Sequence, residues 1–157
     1  MEVFTETFSY CENLTQIPES LFENCSNVIR FDATFAFCES LTQIPENLFD
    51  NCPNVQGFRQ TFRSCLSLES LPSTLFDNCL QVSSFYSCFW GCTSLSSNVI
   101  PLWERWVEES DDYYIREAEA TVDYPTGSGC YGCCYNVEDY EGIPEGWLAE
   151  YNPPLDM

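Results

Sequence analysis

An α/β repeat, built as a solenoid of short parallel strands, short helical turns and an irregular C-terminal cap, is the fold class that three observations on this 157-residue sequence predict. First, the run from Leu41 to Ser67 recurs every 27 residues. Leu14, Ile17, Pro18, Phe22, Cys25, Val28, Phe31, Phe35 and Cys38 precede it in register, and Leu68, Leu71, Pro72, Phe76, Cys79, Val82, Phe85, Phe89 and Cys92 follow it. Second, each unit splits into two similar halves of unequal length, so that Phe49, Cys52, Val55 and Phe58 answer Phe62, Cys65, Leu68 and Leu71. Third, a composition of 45% hydrophobic residues with 12 Phe, 9 Tyr and 4 Trp argues against disorder. A chain of this length makes one domain with a real core.

The repeat begins in mid-unit, with Phe4, Thr7, Phe8, Cys11 and Leu14 aligned to Phe31, Thr34, Phe35, Cys38 and Leu41. Apolar residues three apart around each Phe-x-x-Cys step predict a short helical or 3₁₀ turn, and Leu-x-x-Ile-Pro predicts a short strand or extended corner. The helical segment is expected to start near Pro18, Pro45 and Pro72, with Glu19 and Glu46 at the positive end of its dipole. Asn24, Asn51 and Asn78 stand just before a Cys. Because Asn tolerates a left-handed backbone, these three are expected to close the turn and to stack.

Seven of the 11 cysteines (Cys11, Cys25, Cys38, Cys52, Cys65, Cys79 and Cys92) occupy repeat positions. A buried thiol packs as a small hydrophobe, so the series reads as internal ladders of reduced Cys in keeping with a reducing cytoplasm. No charged leader with an apolar run follows Met1, and no apolar stretch approaches the roughly 18 residues of a membrane span. The expected location is cytoplasmic, with no membrane partner. Two glycosylation sequons, Asn13-Leu14-Thr15 and Asn24-Cys25-Ser26, fall inside the repeat.

Leu41 to Pro45, Leu48 to Cys52 and Thr61 to Leu68 carry Leu-x-x-Ile-Pro, Leu-Phe-x-Asn-Cys and Thr-Phe-x-x-Cys-x-x-Leu. In these motifs the chain resembles the bacterial and phage BspA-like leucine-rich-repeat family, over roughly residues 1–101 and again at 130–147. The resemblance implies a leucine-rich-repeat-like solenoid with a parallel sheet along one face and no catalytic apparatus. Exported members of that family carry secretion signals and long arrays, which this chain does not display.

Residues 1–101 are therefore assigned to the solenoid and 102–157 to an acidic C-terminal cap of the same domain. After Leu95 the spacing lengthens by one residue, and Pro101, Leu102 and Trp103 still echo the Pro-x-x-Leu-Phe step. Residues 104–129 form an insertion, read as the end of a helix over Leu102 to Glu109 followed by a loop or ribbon ending in Gly-Ser-Gly. Tyr131, Cys134, Val137, Tyr140, Ile143 and Pro144 then restore a half-unit. Terminal repeats are atypical because they cover the end of the core.

The chemistry of the chain is defined by charge. Twenty-five acidic residues against five basic ones give a net charge of −20, which repels nucleic-acid phosphate and argues against direct nucleic-acid binding. With no histidine, the commonest general base and metal ligand is absent, and no phosphate-cradling glycine pattern occurs. No catalytic residue, cofactor or metal is assigned, and the chain is read as a non-enzyme. Cys130-x-x-Cys133-Cys134 is the sharpest local motif. It reads as packing thiols around a ladder member, or alternatively as a metal or redox site that must recruit a further ligand.

Two acidic columns stack along the repeat: Glu23, Asp50 and Asp77 in one, Glu12 and Glu39 in the other. At a coil spacing of about 4.8 Å, exposed like charges in water repel by only about 1 kcal/mol, so a solvated face tolerates them. The charge concentrates towards the C-terminal end, where residues 96–157 carry 14 acidic and 2 basic residues against 11 and 3 in 1–95. There Glu108, Glu109, Asp111 and Asp112 run directly into Tyr113 and Tyr114, joining steering charge to aromatic anchors.

Three functions remain open at this point. One is a protein-binding module whose acidic surface docks on a basic partner, such as a nucleic-acid-mimicking, anti-CRISPR-type inhibitor of a phage-defence or restriction nuclease. Another is an adhesion or recognition module on a bacterial or phage surface. The third is a metal or redox protein using the C-terminal cysteines.

Overall fold

A 27-residue period cannot bury its apolar side alone, and the fold solves this by stacking coils so that each repeat position becomes a column. The computed structural model describes residues 2–82 and 84–95. Among the described residues, regular sheet is confined to one narrow line: β1 (Glu2–Val3) pairs in parallel with β2 (Val28–Arg30), and the line continues as parallel bridges from Arg30 to Gly57 and from Gly57 to Ser84. Beyond that line the coils still hold each other through the main chain. The N–H groups of Phe31, Ala33, Phe35 and Phe37 donate to the carbonyls of Gly57, Arg59, Thr61 and Arg63 at 2.7–3.1 Å, and Phe58, Gln60, Phe62 and Ser64 repeat this towards Ser84, Tyr86, Cys88 and Trp90.

The alternate N–H groups stay local. Thr34, Ala36 and Cys38 donate to Phe31, Ala33 and Phe35, closing one turn after another. Such alternation needs a left-handed residue at fixed places. Glu6, Ala33, Gln60 and Ser87 form one column of positive φ, and Tyr10, Phe37, Ser64 and Gly91 form another. Only Gly91 escapes the Cβ penalty of that conformation, and a Cβ there would meet Ser64 Oγ at 3.0 Å.

Two expectations are corrected here. No helix occurs among the described residues. At Pro18, Pro45 and Pro72 the i→i+3 bonds from Leu21, Leu48 and Leu75 do form, at 3.1–3.3 Å, yet the next donors are Glu23, Asp50 and Asp77 and then Cys25, Cys52 and Cys79. The bonds advance by two residues instead of one, which gives linked turns and no helical ladder, so Glu19 and Glu46 meet no helix dipole. Nor are Asn24, Asn51 and Asn78 left-handed. A neighbouring amide does the bridging, since Asn54 Nδ2 donates to the Ser26 carbonyl at 2.9 Å across coils.

Inside, eleven of the 12 phenylalanines make three columns. Phe4, Phe31, Phe58 and Phe85 stack at 5.5–5.8 Å, Phe8, Phe35, Phe62 and Phe89 at 5.3–5.7 Å, and Phe22, Phe49 and Phe76 at 5.9 Å, all with nearly parallel rings. The third column meets the other two at a tilt, with Phe49 4.9 Å from Phe31 and 4.7 Å from Phe58. Offset and tilted ring pairs at these separations add to the burial itself.

The expected thiol ladders are present among the described cysteines. Cys38, Cys65 and Cys92 point their Sγ at the carbonyls of Phe8, Phe35 and Phe62, one coil back, at 3.1–3.3 Å. Cys11, at the first described coil, is exposed. Thr34 and Thr61 grip in the same direction, donating to the carbonyls of Phe4 and Phe31. The insertion 104–129, the rest of the cap 102–157 and the Cys130, Cys133, Cys134 motif lie outside the described residues.

Candidate interaction surface

Among the described residues no cluster of His, Cys, Asp and Glu is arranged to hold a metal ion, and no helix is long and apolar enough to cross a membrane. One shallow groove of about 220 Å³ lies where neighbouring coils turn, lined by Gln16, Ile17, Glu19, Gln43, Ile44 and Pro45. Surface chemistry is instead sorted by column onto two faces.

The first is acidic. Each of Glu23, Asp50 and Asp77 follows a buried Phe of the third column, and each main-chain N–H closes a turn onto Ser20, Asn47 or Thr74. The turn fixes the backbone and leaves all three side chains exposed. Glu12 and Glu39 are exposed in a second column that continues as Leu66 and Thr93, so its charge ends after two coils. Of the partner-binding residues expected from sequence, the structure thus brings Glu23, Asp50 and Asp77 into one line, while Glu108, Glu109, Asp111, Asp112, Tyr113 and Tyr114 lie outside the described residues.

The second face was not anticipated. Arg30, Arg59 and Arg63, all the basic residues of the described coils, lie on or beside the main-chain ladder. Arg59 lies over the Tyr86 ring at 5.2 Å, one coil onward. Arg63 is held between two rings, 4.6 Å from the centroid of Trp90 and 5.6 Å from that of Phe37. Phe37, the twelfth phenylalanine, in turn stacks on Tyr10 at 4.6 Å. The rings cover the flat sides of the guanidinium groups, a contact worth about 0.5–2 kcal/mol each.

At the edge of this face Arg30 Nη1 donates to Asp32 Oδ2 at 3.1 Å, in a pair that is only partly exposed. Burial pushes the Asp32 carboxyl up, and the charge and hydrogen bond of Arg30, with Arg59 beyond, offset only part of that rise. A signal for the stripe was in the sequence. Arg59 and Tyr86, like Arg63 and Trp90, are 27 residues apart and must fall in the same column.

No family model matches the chain, and no curated protein matches it. Solved structures include two distant likenesses. A leucine-rich repeat protein from Bacteroides ovatus is 21% identical, with 59% of this chain and 33% of that one covered at a TM-score of 0.24. A leucine-rich repeat protein of T. pallidum is 17% identical, with 64% and 63% covered at a TM-score of 0.20. The chain thus spans less than two thirds of the length of either. The class defined by the ladder and the phenylalanine columns is a coil-stacked repeat protein.

Proposed function

We propose that the protein is a non-enzymatic protein-binding module whose acidic turn face docks on a basic site of a protein partner. The observation that carries this reading is the exposed column Glu23, Asp50 and Asp77 in a chain of net charge −20. A line of carboxylates at coil spacing speeds encounter with a basic surface and selects against acidic ones. Glu108, Glu109, Asp111 and Asp112, with Tyr113 and Tyr114, would extend the same chemistry. A nucleic-acid mimic that blocks a nuclease of the CRISPR or restriction type is the narrower form, and it rests on the charge alone.

The test is a pull-down across a salt series with the wild-type chain and with E23Q/D50N/D77N. The proposal expects a basic partner that elutes as ionic strength rises and that the neutralised column no longer retains. Retention of the same partner by both chains, with the same salt profile, overturns it. Cleavage assays with a purified nuclease then decide the narrower form.

A further inference from the structure

The groove at the coil turns has a composition that the acidic column does not explain. Its floor is Ile17 and Ile44, only 6% and 5% exposed, together with half-buried Pro45. Gln16, Gln43 and Glu19 are exposed and form its rim. At about 220 Å³ the groove falls below the roughly 300–1,000 Å³ of sites that enclose a small molecule. It has room for one side chain.

Register shows how the groove is made and where it stops. Gln16 and Gln43 occupy one column and Ile17 and Ile44 the next, so neighbouring coils present the same pair about 4.8 Å apart. One coil further on, Ser70 and Leu71 take these places and Ser73 stands in the column of Glu19, so both the amide and the carboxylate are lost. Glu19 has no helix dipole to complement, because its turn is not helical. The linked turns that begin at Pro18 and Pro45 close with the N–H groups of Glu23 and Asp50, which places the groove at the head of the turns that carry the acidic column.

A lysine side chain fits this chemistry. Its methylene stem lies along an apolar strip while its head stays at a polar rim. The three N–H donors of an ammonium match three acceptor groups, the Glu19 carboxylate and the side-chain carbonyls of Gln16 and Gln43. Arginine instead carries five donors in a rigid planar fork, which one carboxylate and two separate amides do not match. A net charge of −20 favours a cation over a neutral or acidic side chain. We propose that the groove is the anchor pocket for a lysine of the basic partner. This rests on the acidic-face reading and deepens it: Glu23, Asp50 and Asp77 speed the encounter, and the groove holds the side chain that docks.

The experiment titrates the full chain, labelled with nitrogen-15 and followed by NMR, with blocked glycine peptides carrying lysine, arginine or norleucine at the centre. The lysine peptide is expected to shift the side-chain amide signals of Gln16 and Gln43 to saturation. Norleucine, which lacks the ammonium and its charged hydrogen bonds, binds about tenfold more weakly or worse, and arginine binds severalfold more weakly. E19Q weakens the lysine peptide about tenfold, and Q16A/Q43A weakens it severalfold, with the thermal melt of each variant unchanged. Lysine binding that norleucine or arginine equals, or that E19Q leaves unchanged, overturns the inference. The salt-series pull-down, repeated with E19Q, separates the two readings. Partner capture lost with E23Q/D50N/D77N but untouched by E19Q keeps the acidic-face reading and overturns the groove, and the opposite pattern keeps the groove and overturns the column.

Discussion

Phe62 and Phe89 stack across adjacent coils with ring centroids 5.7 Å apart and planes 1° from parallel. Both are fully buried, and Phe62 also stacks on Phe35 at 5.5 Å on its other side. Phe62→Ala empties the middle of a column, so the loss is a cavity between two coils plus the transfer term. The expected cost is about 3–5 kcal/mol, read as a fall in the urea midpoint. Phe62→Leu should cost clearly less.

Thr61 tests the side-chain grip between coils. Its Oγ1 donates to the Phe31 carbonyl at 2.9 Å, and that carbonyl also accepts from the Thr34 N–H at 3.2 Å. Thr61→Val removes one donor of two, and the Phe31 carbonyl keeps the Thr34 N–H. The expected loss is about 0.5–1.5 kcal/mol, well short of the penalty for a stranded polar group. Equilibrium unfolding of the variant checks it.

The thiols predict how stability varies at high pH. Burial pushes Cys38 and Cys52 up to about 12, and a hydrogen bond with Cys92 followed by burial raises Cys65. In the unfolded chain a cysteine ionises near about 8.5. The folded pKa is raised, so the stabilisation is complete below the unfolded value and is lost as pH rises from about 9 towards 12. The urea midpoint should fall through this window. In the folded protein at pH 8, alkylation should mark exposed Cys11 well before Cys38 or Cys52.

Gln60 holds a φ of 55° without being glycine. Left-handed backbone costs an L-residue roughly 1–2 kcal/mol, while glycine costs about 0.5–1 kcal/mol in lost chain entropy. Gln60→Gly should therefore be neutral or stabilise by up to about 1 kcal/mol, because its N–H bond to the Tyr86 carbonyl is kept. Gly91→Ala in the other column should destabilise, since the new methyl meets Ser64 Oγ at 3.0 Å. Thermal melts of the two variants decide between these signs.

The columns of the core were legible because Phe31, Phe58 and Phe85 or Cys38, Cys65 and Cys92 recur at one spacing, and stacking turns spacing into contact. The turn type was not. Apolar residues three apart suit both a helix and a chain of linked turns, and the two differ only in whether successive N–H groups bond locally. That choice is made by neighbouring coils, which capture every second donor at Phe31, Ala33, Phe35 and Phe37. The left-handed columns were hidden for a related reason. Glu6, Ala33, Gln60, Tyr10 and Phe37 carry no glycine or asparagine signature, and inter-coil bonds hold them in place. At the surface, the exposed line of Glu23, Asp50 and Asp77 followed from register alone. The Arg63–Trp90 contact needed the same register read for basic residues as well as acidic ones.

Along the ladder from Phe31 to Phe37, the main chain reaches forward while the side chains of Thr34 and Cys38 reach backward. Phe31 and Phe35 donate their N–H groups to Gly57 and Thr61, while Thr34 and Cys38 donate to Phe4 and Phe8. The stack therefore has an arrow, and damage inherits it. A side chain lost from the coil that holds Thr61 and Cys65 loosens the seam behind it, whereas a proline placed at Phe58 or Phe62 would unfasten the seam ahead. Two substitutions a few residues apart can thus cut the same solenoid at two different joints.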